Sequence, residues 1–356
     1  MLPLVSISMG DPAGIGPEVI LKALADPTLR ASARWVICGN RAPLTLAAQS
    51  NNFTLPIRTA TLDVAPPAAG EVVLLAQEQW ESVTTFTPNS AQSGLASLAY
   101  VERAISLARD ATTPPAWRAS AIATAPISKE AWFAAGETRY PGHTELFAER
   151  FNATNYAMMF AAEPRGDKPG IHCVLVTAHM PLSAVVTSLT TRRVLDTITL
   201  AHAAMQSLGN SRPRIGVCGL NPHAGEHGIL GTEDDAIIKP AVDAARAAGL
   251  TVAGPLSADT IFQGALAYAN KPPLNFDLIV AMYHDQGLIP VKLLAWDRAV
   301  NMTIGLTHAG KPILRTSPDH GTAFNIAGRG VADEGSMKAA LRMAARSALE
   351  HARRPA

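Results

Sequence analysis

The sequence predicts an α/β protein of about two domains, on a length prior of roughly 150 residues per domain. Short apolar runs rich in β-branched residues alternate with longer alanine- and leucine-rich segments of helical period. The chain has 356 residues, of which 48% are hydrophobic, so it can bury a large core. Such alternation is typical of a mostly parallel sheet with helices on both faces.

The predicted strands and helices alternate along the whole chain. The predicted strands are Leu4–Ser8, Trp35–Cys38, Val72–Leu75, Ala121–Thr124, Val174–Thr177, Ile215–Cys218 and Leu278–Met282. The clearest predicted helices are Gly94–Arg109, Arg192–Leu208, Asp234–Ala248 and Ser336–His351. The stretch Glu163–Gly170 is rich in Pro, Gly and charge, and is predicted to be an exposed hairpin or insertion. In α/β sheets, functional groups are expected at the carboxyl ends of the strands.

Charge and cysteine usage exclude several classes of protein. The balance of 30 Lys and Arg against 29 Asp and Glu gives a net charge of +1, so no nucleic-acid or anionic-membrane partner is expected. The sequence shows neither a secretory signal pattern nor an apolar run of membrane-spanning length, and we expect a cytoplasmic location. Cys38, Cys173 and Cys218 lie in apolar runs and are expected to be reduced core thiols.

The first glycine-rich loop, Gly10–Glu18, follows the first predicted strand and opens a helix. Its spacing matches neither a Walker loop nor a dinucleotide fingerprint, so a structural tight turn is one interpretation. The other is an anion-binding corner, in which Gly14 and Gly16 let backbone approach a ligand at a helix N-terminus. A second loop, His320–Gly330, offers His320 and Asn325 as hydrogen-bonding groups beside a nucleotide.

Three histidines stand in matched positions, each shortly after a predicted strand. They are His179 in AHMP, His223 in NPHAG and His284 in YHDQG. Strand ends that meet at one sheet edge would bring them together as a three-histidine catalytic metal site with an open position. Ordinary loop or core histidines are the alternative. His227 is interpreted as incidental, because Pro222, Gly225 and Gly228 predict a loop there rather than a helix.

Acidic and basic groups accompany the three histidines. Asp285 and Asp259 are candidates to complete or orient the metal ligands, and Asp259 is alternatively a helix N-cap. Lys292, Asn301 and Arg315, together with His143 and Thr144 upstream, are donors that suit a carboxylate and a phosphate on one small substrate. A solvated surface charge is the alternative for Lys292 and for Arg315.

These motifs together resemble known families. The loops Gly10–Glu18 and His320–Gly330 resemble the opening loop and the nucleotide loop of isopropylmalate and isocitrate dehydrogenases. The motifs between them are similar to those of the 4-hydroxythreonine-4-phosphate dehydrogenase family, over nearly the whole chain. They are Thr124–Lys129, Pro141–Glu145, Ala178–Leu182, Asn221–Glu226, Tyr283–Gly287 and Arg315–Thr322.

The resemblance implies a two-domain, isocitrate/isopropylmalate dehydrogenase-like α/β sandwich, not a classical Rossmann fold, with a mostly parallel sheet that continues between the domains. We expect a nucleotide-binding domain at 1–124 plus 305–356 and a substrate, metal and dimerisation domain at 125–304. It also implies a homodimer whose subunits share the metal site.

Residue by residue, the resemblance implies three groups of site residues. His179, His223 and His284 would hold a divalent zinc, magnesium or cobalt ion. His143, Thr144, Lys292, Asn301 and Arg315 would bind the substrate, with Asp259, Asp285 and Lys292 in catalytic roles. Gly14, Gly16, His320 and Asn325 would contact NAD or NADP.

The implied reaction is oxidation of the C3 hydroxyl of 4-phosphooxy-L-threonine, followed by decarboxylation, in pyridoxal 5'-phosphate biosynthesis. Related enzymes act on threonate or erythronate phosphates or on aromatic cis-dihydrodiols, and these stay open as substrates. Thr307–Lys311, an unexpected lengthening beside the substrate residues, bears on that choice. A phosphate acetyltransferase-like enzyme and a non-catalytic small-molecule binder are the alternatives from other classes.

Overall fold

A computed structural model describes residues 2–51 and 56–353. Its contacts divide the chain into two compact units, Met1–Ala153 with Leu306–Ala356, and Thr154–Gly305. The strands are β1 (Leu4–Ser8), β2 (Arg34–Gly39), β3 (Ile57–Thr59), β4 (Val72–Ala76), β5 (Ala121–Thr124), β6 (Ala157–Ala162), β7 (Ile171–Leu175), β8 (Ile215–Cys218), β9 (Val252–Leu256), β10 (Leu278–Ala281), β11 (Val300–Ile304), β12 (Thr307–His308), β13 (Lys311–Pro312) and β14 (Leu314–Pro318).

The α-helices lie between these strands, which confirms the α/β class. They are α1 (Gly16–Ala25), α2 (Pro27–Arg30), α3 (Arg41–Ser50), α4 (Ala91–Arg109), α5 (Lys129–Ala134), α6 (His143–Arg150), α7 (Leu182–Ser188), α8 (Thr191–Ser207), α9 (Lys239–Ala247), α10 (His284–Ala295) and α11 (Gly335–Arg353). A π-helical turn, Asp234–Ile238, precedes α9. Among the described residues, we find no helix with both the length and the hydropathy that a membrane crossing requires.

The first unit contains a parallel sheet in the order β3-β4-β2-β1-β5-β14. Alternate residues of β2 belong to different hydrophobic clusters on the two faces: Trp35 and Ile37 to one, Val36 and Cys38 to the other. Because both faces are buried, the strand is apolar after its first residue, Arg34. This explains why its sequence shows an unbroken apolar run rather than alternation.

The boundary between the units differs from the prediction. We expected residues 125–153 in the second domain, but they pack in the first unit. There Trp132 and Phe147, from α5 and α6, join the hydrophobic cluster that contains Val101, Ile105 and Ile122. The prediction placed the boundary at the end of β5, whereas the chain returns to cover α4 before it enters the second unit.

The second unit contains a mixed sheet in the order β11-β6-β7-β10-β8-β9. The pairs β7–β10, β10–β8 and β8–β9 are parallel, while β6 runs antiparallel to both of its neighbours. The β6–β7 connection contains an exposed hairpin with a bridge between Arg165 and Lys168, as predicted for Glu163–Gly170. The sheet is therefore mostly parallel, with one hairpin inserted.

The cysteines are buried and unpaired, which confirms the expectation of reduced core thiols. Burial raises the pKa of Cys38 and of Cys218 to about 12 and raises the pKa of Cys173 as well. A thiolate is the reactive form of cysteine, so these side chains act as small apolar residues.

Candidate active site

The glycines of the first loop are required by close backbone approach. A Cβ at Gly10, which has φ +73°, would lie 2.4 Å from the carbonyl oxygen of Pro126, and one at Gly16 would lie 2.3 Å from that of Met9. Both positions therefore need glycine for structural reasons. For Gly10 and Gly16 the tight-turn interpretation is sufficient.

Gly14 joins the two predicted glycine loops. The Ile15 N–H donates to the Thr322 carbonyl oxygen at 2.9 Å, and a Cβ at Gly14 would lie 2.9 Å from that same oxygen. In the second loop, Nδ1 of His320 lies 3.1 Å from the Gly321 carbonyl oxygen, and Asn325 is exposed. The structure thus brings Gly14 next to the His320–Gly330 loop, as a shared nucleotide site requires.

Asp11 is a buried carboxyl group within the first loop. One of its oxygens accepts a hydrogen bond from the Ala13 N–H at 2.9 Å. Burial raises the pKa of Asp11 from 3.8 to about 6, against the opposing effects of the Ala13 N–H and the Ser93 hydroxyl. The loop therefore holds a carboxyl group that folding makes harder to ionise.

Replacing Asp11 by Asn is expected to stabilise the protein at pH 8. Between pH 3.8 and about 6 the folded state keeps a proton that the unfolded state has released, so stability falls as pH rises through this window and is level above it. A shift of this size corresponds to up to about 3 kcal/mol in the free energy of unfolding. Urea unfolding of the wild-type and Asp11→Asn proteins from pH 4 to pH 8 measures this difference in the free energy of unfolding. An Asp11→Asn protein that is less stable than wild type at pH 8 would contradict the prediction.

His143 begins α6, directly after Gly142, and lies among aromatic rings. Its ring centroid is 5.7 Å from that of Trp132 and 6.3 Å from that of Phe147. Burial, with smaller contributions from the charges of Arg315 and Lys129, holds the pKa of His143 well below its usual value. The imidazole is therefore neutral at neutral pH and can act as a hydrogen-bond donor or acceptor without a charge. Thr144, next in the helix, is buried.

Arg315 lies on β14 and is 2% exposed, so the alternative of a solvated surface charge is wrong for this residue. Its Nε and Nη2 atoms donate to the Thr124 hydroxyl at 3.1 and 2.6 Å, and its guanidinium lies 5.7 Å from the Phe147 ring centroid. Burial lowers the pKa of Arg315 to about 9, so the group still carries its charge at neutral pH. His143 and Arg315 thus belong to one cluster, which is completed by Thr124 and Lys129.

In the second unit, His179 and His284 are neighbours. Their ring centroids are 5.6 Å apart. They follow β7 and β10, which are adjacent parallel strands, so their carboxyl ends meet at one edge. His284 Nδ1 lies 2.7 Å from an oxygen of Asp285, and this contact leaves Nε2 as the ring nitrogen that is available to a ligand. The structure therefore brings together two of the three predicted metal ligands.

His223 lies in a separate loop after β8, and its side chain is exposed. Residues 223–227 have positive φ values, which confirms that this segment is not a helix. The buried carboxylate of Asp234 fixes the start of the loop, accepting from the backbone N–H groups of Leu220 and Asn221 at 2.8 and 3.1 Å. Within residues 2–51 and 56–353, no three His, Cys, Asp or Glu side chains of this one chain are grouped as a metal site.

The acidic candidates lie beside these histidines. Asp259 precedes a short 3-10 helix that Thr260 caps, so Asp259 is not the N-cap itself. It accepts a 2.6 Å hydrogen bond from the Ser257 hydroxyl. This hydrogen bond and, to a smaller extent, the nearby His223 lower the pKa of Asp259. Asp259 therefore accompanies His223, while Asp285 accompanies His284.

Lys292 and Asn301 occupy different elements of the second unit. Lys292 lies on α10 with its ammonium group 5.3 Å from the Trp296 ring centroid. Asn301 lies on β11, and its side-chain oxygen is buried and accepts no hydrogen bond in the structure. An amide oxygen in this state is a ready acceptor for a ligand group.

Sequence reasoning missed several groups that contact the predicted site residues. Thr124 accepts the hydrogen bonds of Arg315, and Lys129 contributes to the low pKa of His143. Both flank the Pro126 segment that Asp11 and Gly10 contact. The sequence showed them only as the two ends of the motif Thr124–Lys129, without any indication of these contacts.

The sequence matches one protein family and its members over most of the chain. The model of the family described as pyridoxal phosphate biosynthetic protein PdxA matches residues 31–344. The chain is 41% identical over 350 residues to a 4-hydroxythreonine-4-phosphate dehydrogenase of Trichlorobacter lovleyi, covering 97% of this chain and 98% of the relative. It is also 41% identical over 353 residues to a D-threonate 4-phosphate dehydrogenase of Cupriavidus necator, covering 99% of each.

Solved structures agree with the sequence matches. A crystal structure of a 4-hydroxythreonine-4-phosphate dehydrogenase from Burkholderia phymatum superimposes with a TM-score of 0.79 at 39% identity, covering 98% of each chain. The similarity therefore extends over the whole fold.

Proposed function

Since this chain belongs to the family of the pyridoxal phosphate biosynthetic protein PdxA, we propose that it oxidises the C3 hydroxyl of 4-phosphooxy-L-threonine with NAD or NADP. A bound dinucleotide would accept the hydride from C3, and the hydroxyl proton would be released. The product, 2-amino-3-oxo-4-phosphooxybutanoate, then loses carbon dioxide to give 3-amino-2-oxopropyl phosphate. A cytoplasmic location is part of the same proposal. The observation that carries it is the His179–His284 pair at adjacent strand ends.

The histidine pair fits a divalent metal. Two imidazoles bound to one zinc ion at ~2.0 Å place their ring centroids about 5 Å apart, close to the 5.6 Å between His179 and His284. His223 is proposed as the third ligand, contributed across a homodimer. A bound zinc, magnesium or cobalt ion would supply Lewis acidity that lowers the pKa of the substrate hydroxyl.

The neighbouring carboxylates have two roles in this proposal: one orients a metal ligand and one accepts a proton. Asp285 orients His284 through Nδ1, so the imidazole would have Nε2 free to hold a bound metal. Asp259 or Asp285 accepts the hydroxyl proton, since both are exposed carboxylates beside proposed ligands.

The anionic groups of the substrate need cations and neutral donors. Arg315 provides a buried, charged guanidinium, and the neutral His143 and the hydroxyl of Thr144 lie in the same unit. Lys292 and Asn301 are also proposed to contact the substrate, and Lys292 is proposed to bind its phosphate. Remote binding of the phosphate orients C3 for hydride transfer.

The nucleotide is proposed to bind in the first unit. Gly14 precedes α1 and Gly16 is its first residue, and this helix N-terminus is proposed to favour the pyrophosphate. His320 and Asn325, in the loop that contacts Gly14 through Thr322, would donate to or accept from the nucleotide.

Helix α10 provides a surface for a second copy of the chain. Ile289, Leu293 and Trp296 are 58%, 81% and 77% exposed, and their i, i+4, i+7 spacing places them on one face. The same helix begins with His284. An apolar face next to a proposed metal ligand is the arrangement that a metal site shared between two subunits needs.

Replacing Leu293 by Glu is expected to dissociate the dimer and to reduce activity by more than about tenfold, because a carboxylate replaces the most exposed residue of this apolar face. Light scattering after gel filtration measures the mass, and a coupled activity assay measures the rate. Leu274→Glu is the matched control, because Leu274 is an exposed leucine of the same unit outside α10. An active dimer carrying Leu293→Glu contradicts this assignment of the interface.

The reaction is tested by following NADH or NADPH formation with purified protein. The two substrates are 4-phosphooxy-L-threonine and D-threonate 4-phosphate. D-threonate 4-phosphate is included because the D-threonate 4-phosphate dehydrogenase of Cupriavidus necator is as similar to this chain as the 4-hydroxythreonine-4-phosphate dehydrogenase of Trichlorobacter lovleyi. Each is assayed after metal removal and after addition of zinc, magnesium or cobalt. We expect activity only with metal, and higher kcat/KM for 4-phosphooxy-L-threonine.

Higher kcat/KM for D-threonate 4-phosphate would transfer the proposal to that substrate. No reduced dinucleotide with either compound, nor with erythronate phosphate or an aromatic cis-dihydrodiol, would contradict the proposed chemistry. If the protein is instead a phosphate acetyltransferase-like enzyme, its His223→Ala variant should stay active, because that reaction does not need the three histidines.

A further inference from the structure

The segment that carries His223 is a left-handed turn. Residues 223–227 all have positive φ, from +44° to +76°. The non-glycine members are His223, Ala224, Glu226 and His227. Residues with a side chain rarely adopt this conformation, because their Cβ comes too close to the backbone. They stay in it only where surrounding contacts hold them, so these contacts decide where the His223 imidazole lies.

Asp234 holds the chain directly before this turn. The residue is only 1% exposed. Its Oδ1 atom accepts from the Leu220 N–H at 2.8 Å. Its Oδ2 atom accepts from the Asn221 N–H at 3.1 Å and from the Asn221 side-chain amide at 2.9 Å. In the protein interior a donor that loses its acceptor is costly, so the carboxylate fixes these two residues.

The same carboxylate lies close to the chain on both sides of His223. A Cβ added at Gly219 would lie 2.7 Å from Asp234 Oδ1, and a Cβ added at Gly225 would lie 3.3 Å from Oδ2. The Leu230 N–H donates to the Gly225 carbonyl oxygen at 3.0 Å and closes the turn. Asp234 therefore contacts the loop before and after the histidine that the loop presents.

Asp234 is itself anchored in the core of the second unit. It begins the π-helical turn Asp234–Ile238, which leads directly into α9. Ile238, Ala241 and Val242 on this continuous segment are fully buried. The His223 side chain, in contrast, is exposed. The buried carboxylate thus connects an exposed loop to a rigid part of the fold.

We propose that Asp234 is a positioning residue for the metal site, which holds the left-handed turn so that His223 is presented to the partner subunit. The inference rests on the proposed function, because it takes His223 as the third ligand, contributed across a homodimer. Asp234 acts only through His223. Its loss in one subunit should therefore impair the site that this subunit's His223 completes, and spare the site that the partner's intact loop completes.

The first test is zinc titration of the full-length dimer. Asp234→Asn keeps the size of the side chain but turns an NH₂ group towards backbone N–H donors, so one donor loses its acceptor. We expect the zinc Kd to rise by about 10- to 100-fold, the usual effect of losing a residue that supports a metal ligand. Asn221→Ala removes one donor to the same carboxylate, and its zinc Kd should rise as well.

Asp277→Asn is the matched control. Asp277 also accepts from a backbone N–H, that of Arg214 at 2.8 Å, and lies in the same unit. It precedes β10, whereas His284 follows this strand, so the two residues lie at opposite ends of it. Asp277→Asn is expected to leave the zinc Kd unchanged. Thermal unfolding of Asp234→Asn and Asp277→Asn measures the loss of stability that both substitutions cause.

Hybrid dimers separate positioning from a general loss of stability. Two variants are co-expressed with a different affinity tag on each, and the hybrid is isolated through both tags. Asp234→Asn paired with His284→Ala retains one complete site, so it should bind one zinc ion tightly and show about half of the wild-type activity. Asp234→Asn paired with His223→Ala has no complete site, and its activity should be at least about tenfold lower.

An unchanged zinc Kd in a folded Asp234→Asn or Asn221→Ala protein would overturn the inference and leave the proposed function standing. Equal zinc binding and activity of the two hybrids would also overturn it, since a general loss of stability affects both hybrids alike. If His223→Ala itself binds zinc as tightly as wild type, the proposed metal site fails, and the inference fails with it.

Discussion

Replacing His284 by Ala is expected to reduce kcat/KM by on the order of 10³-fold and to remove tight metal binding. The imidazole lies 5.6 Å, centroid to centroid, from His179, and Asp285 fixes its orientation. Loss of a residue that only orients a metal ligand costs about 10- to 100-fold, so loss of the ligand itself should cost more. Zinc titration and steady-state kinetics on the same preparations measure both effects.

His227→Ala is the matched control for this substitution. His227 is another exposed histidine, in the loop that carries His223, and the proposal gives it no role. Its variant should keep kcat/KM within about twofold of wild type, as expected for a surface change. An active, metal-binding His284→Ala enzyme would contradict the assignment of this histidine pair.

Replacing Arg315 by Lys is expected to reduce kcat/KM by on the order of 10²-fold, chiefly through a higher KM for the phosphorylated substrate. Lysine keeps the charge but loses the planar, forked donors of the guanidinium. Two of these donors already engage Thr124, which fixes the orientation of the group. The KM for the dinucleotide should change by less than about threefold, because the proposed nucleotide residues belong to other loops.

Arg118→Lys is the control for the effect of losing a partly buried guanidinium. Arg118 donates to the carbonyl oxygens of Asp110 and Thr113 and belongs to the same unit, but the proposal gives it no contact with substrate. Thermal unfolding of both variants reports on folding. A normal substrate KM in a folded Arg315→Lys protein would remove Arg315 from the proposed substrate site.

The sequence predicted the strands that are buried on both faces. β1, β5 and β8 begin and end where they were predicted to, because a central parallel strand is buried on both faces and its sequence is correspondingly rich in apolar residues. β6 was missed, since its residues Ala157–Ala162 consist of Ala, Met and Phe, which favour a helix as readily as a strand. The unit boundary was misplaced for a different reason: the packing of α5 and α6 on α4 is a tertiary contact that leaves no local signal.

The site was predictable where it depends on strand ends and unpredictable where it depends on distant partners. His179 and His284 follow neighbouring strands, and the sequence alone pointed to their meeting. The burial of Arg315 against Thr124 joins residues far apart in the chain. The burial of Asp11 was likewise hidden, because only the folded chain reveals it.

A mixing experiment tests most directly the central claim, a histidine metal site shared between two subunits. His223→Ala and His284→Ala are each expected to be inactive. After dissociation and reassociation of an equimolar mixture, half of the dimers should be hybrids with one complete site. We expect recovery of about a quarter of the wild-type activity, with metal bound. Hybrid dimers that form, as isolated through a different affinity tag on each variant, but stay inactive would contradict it.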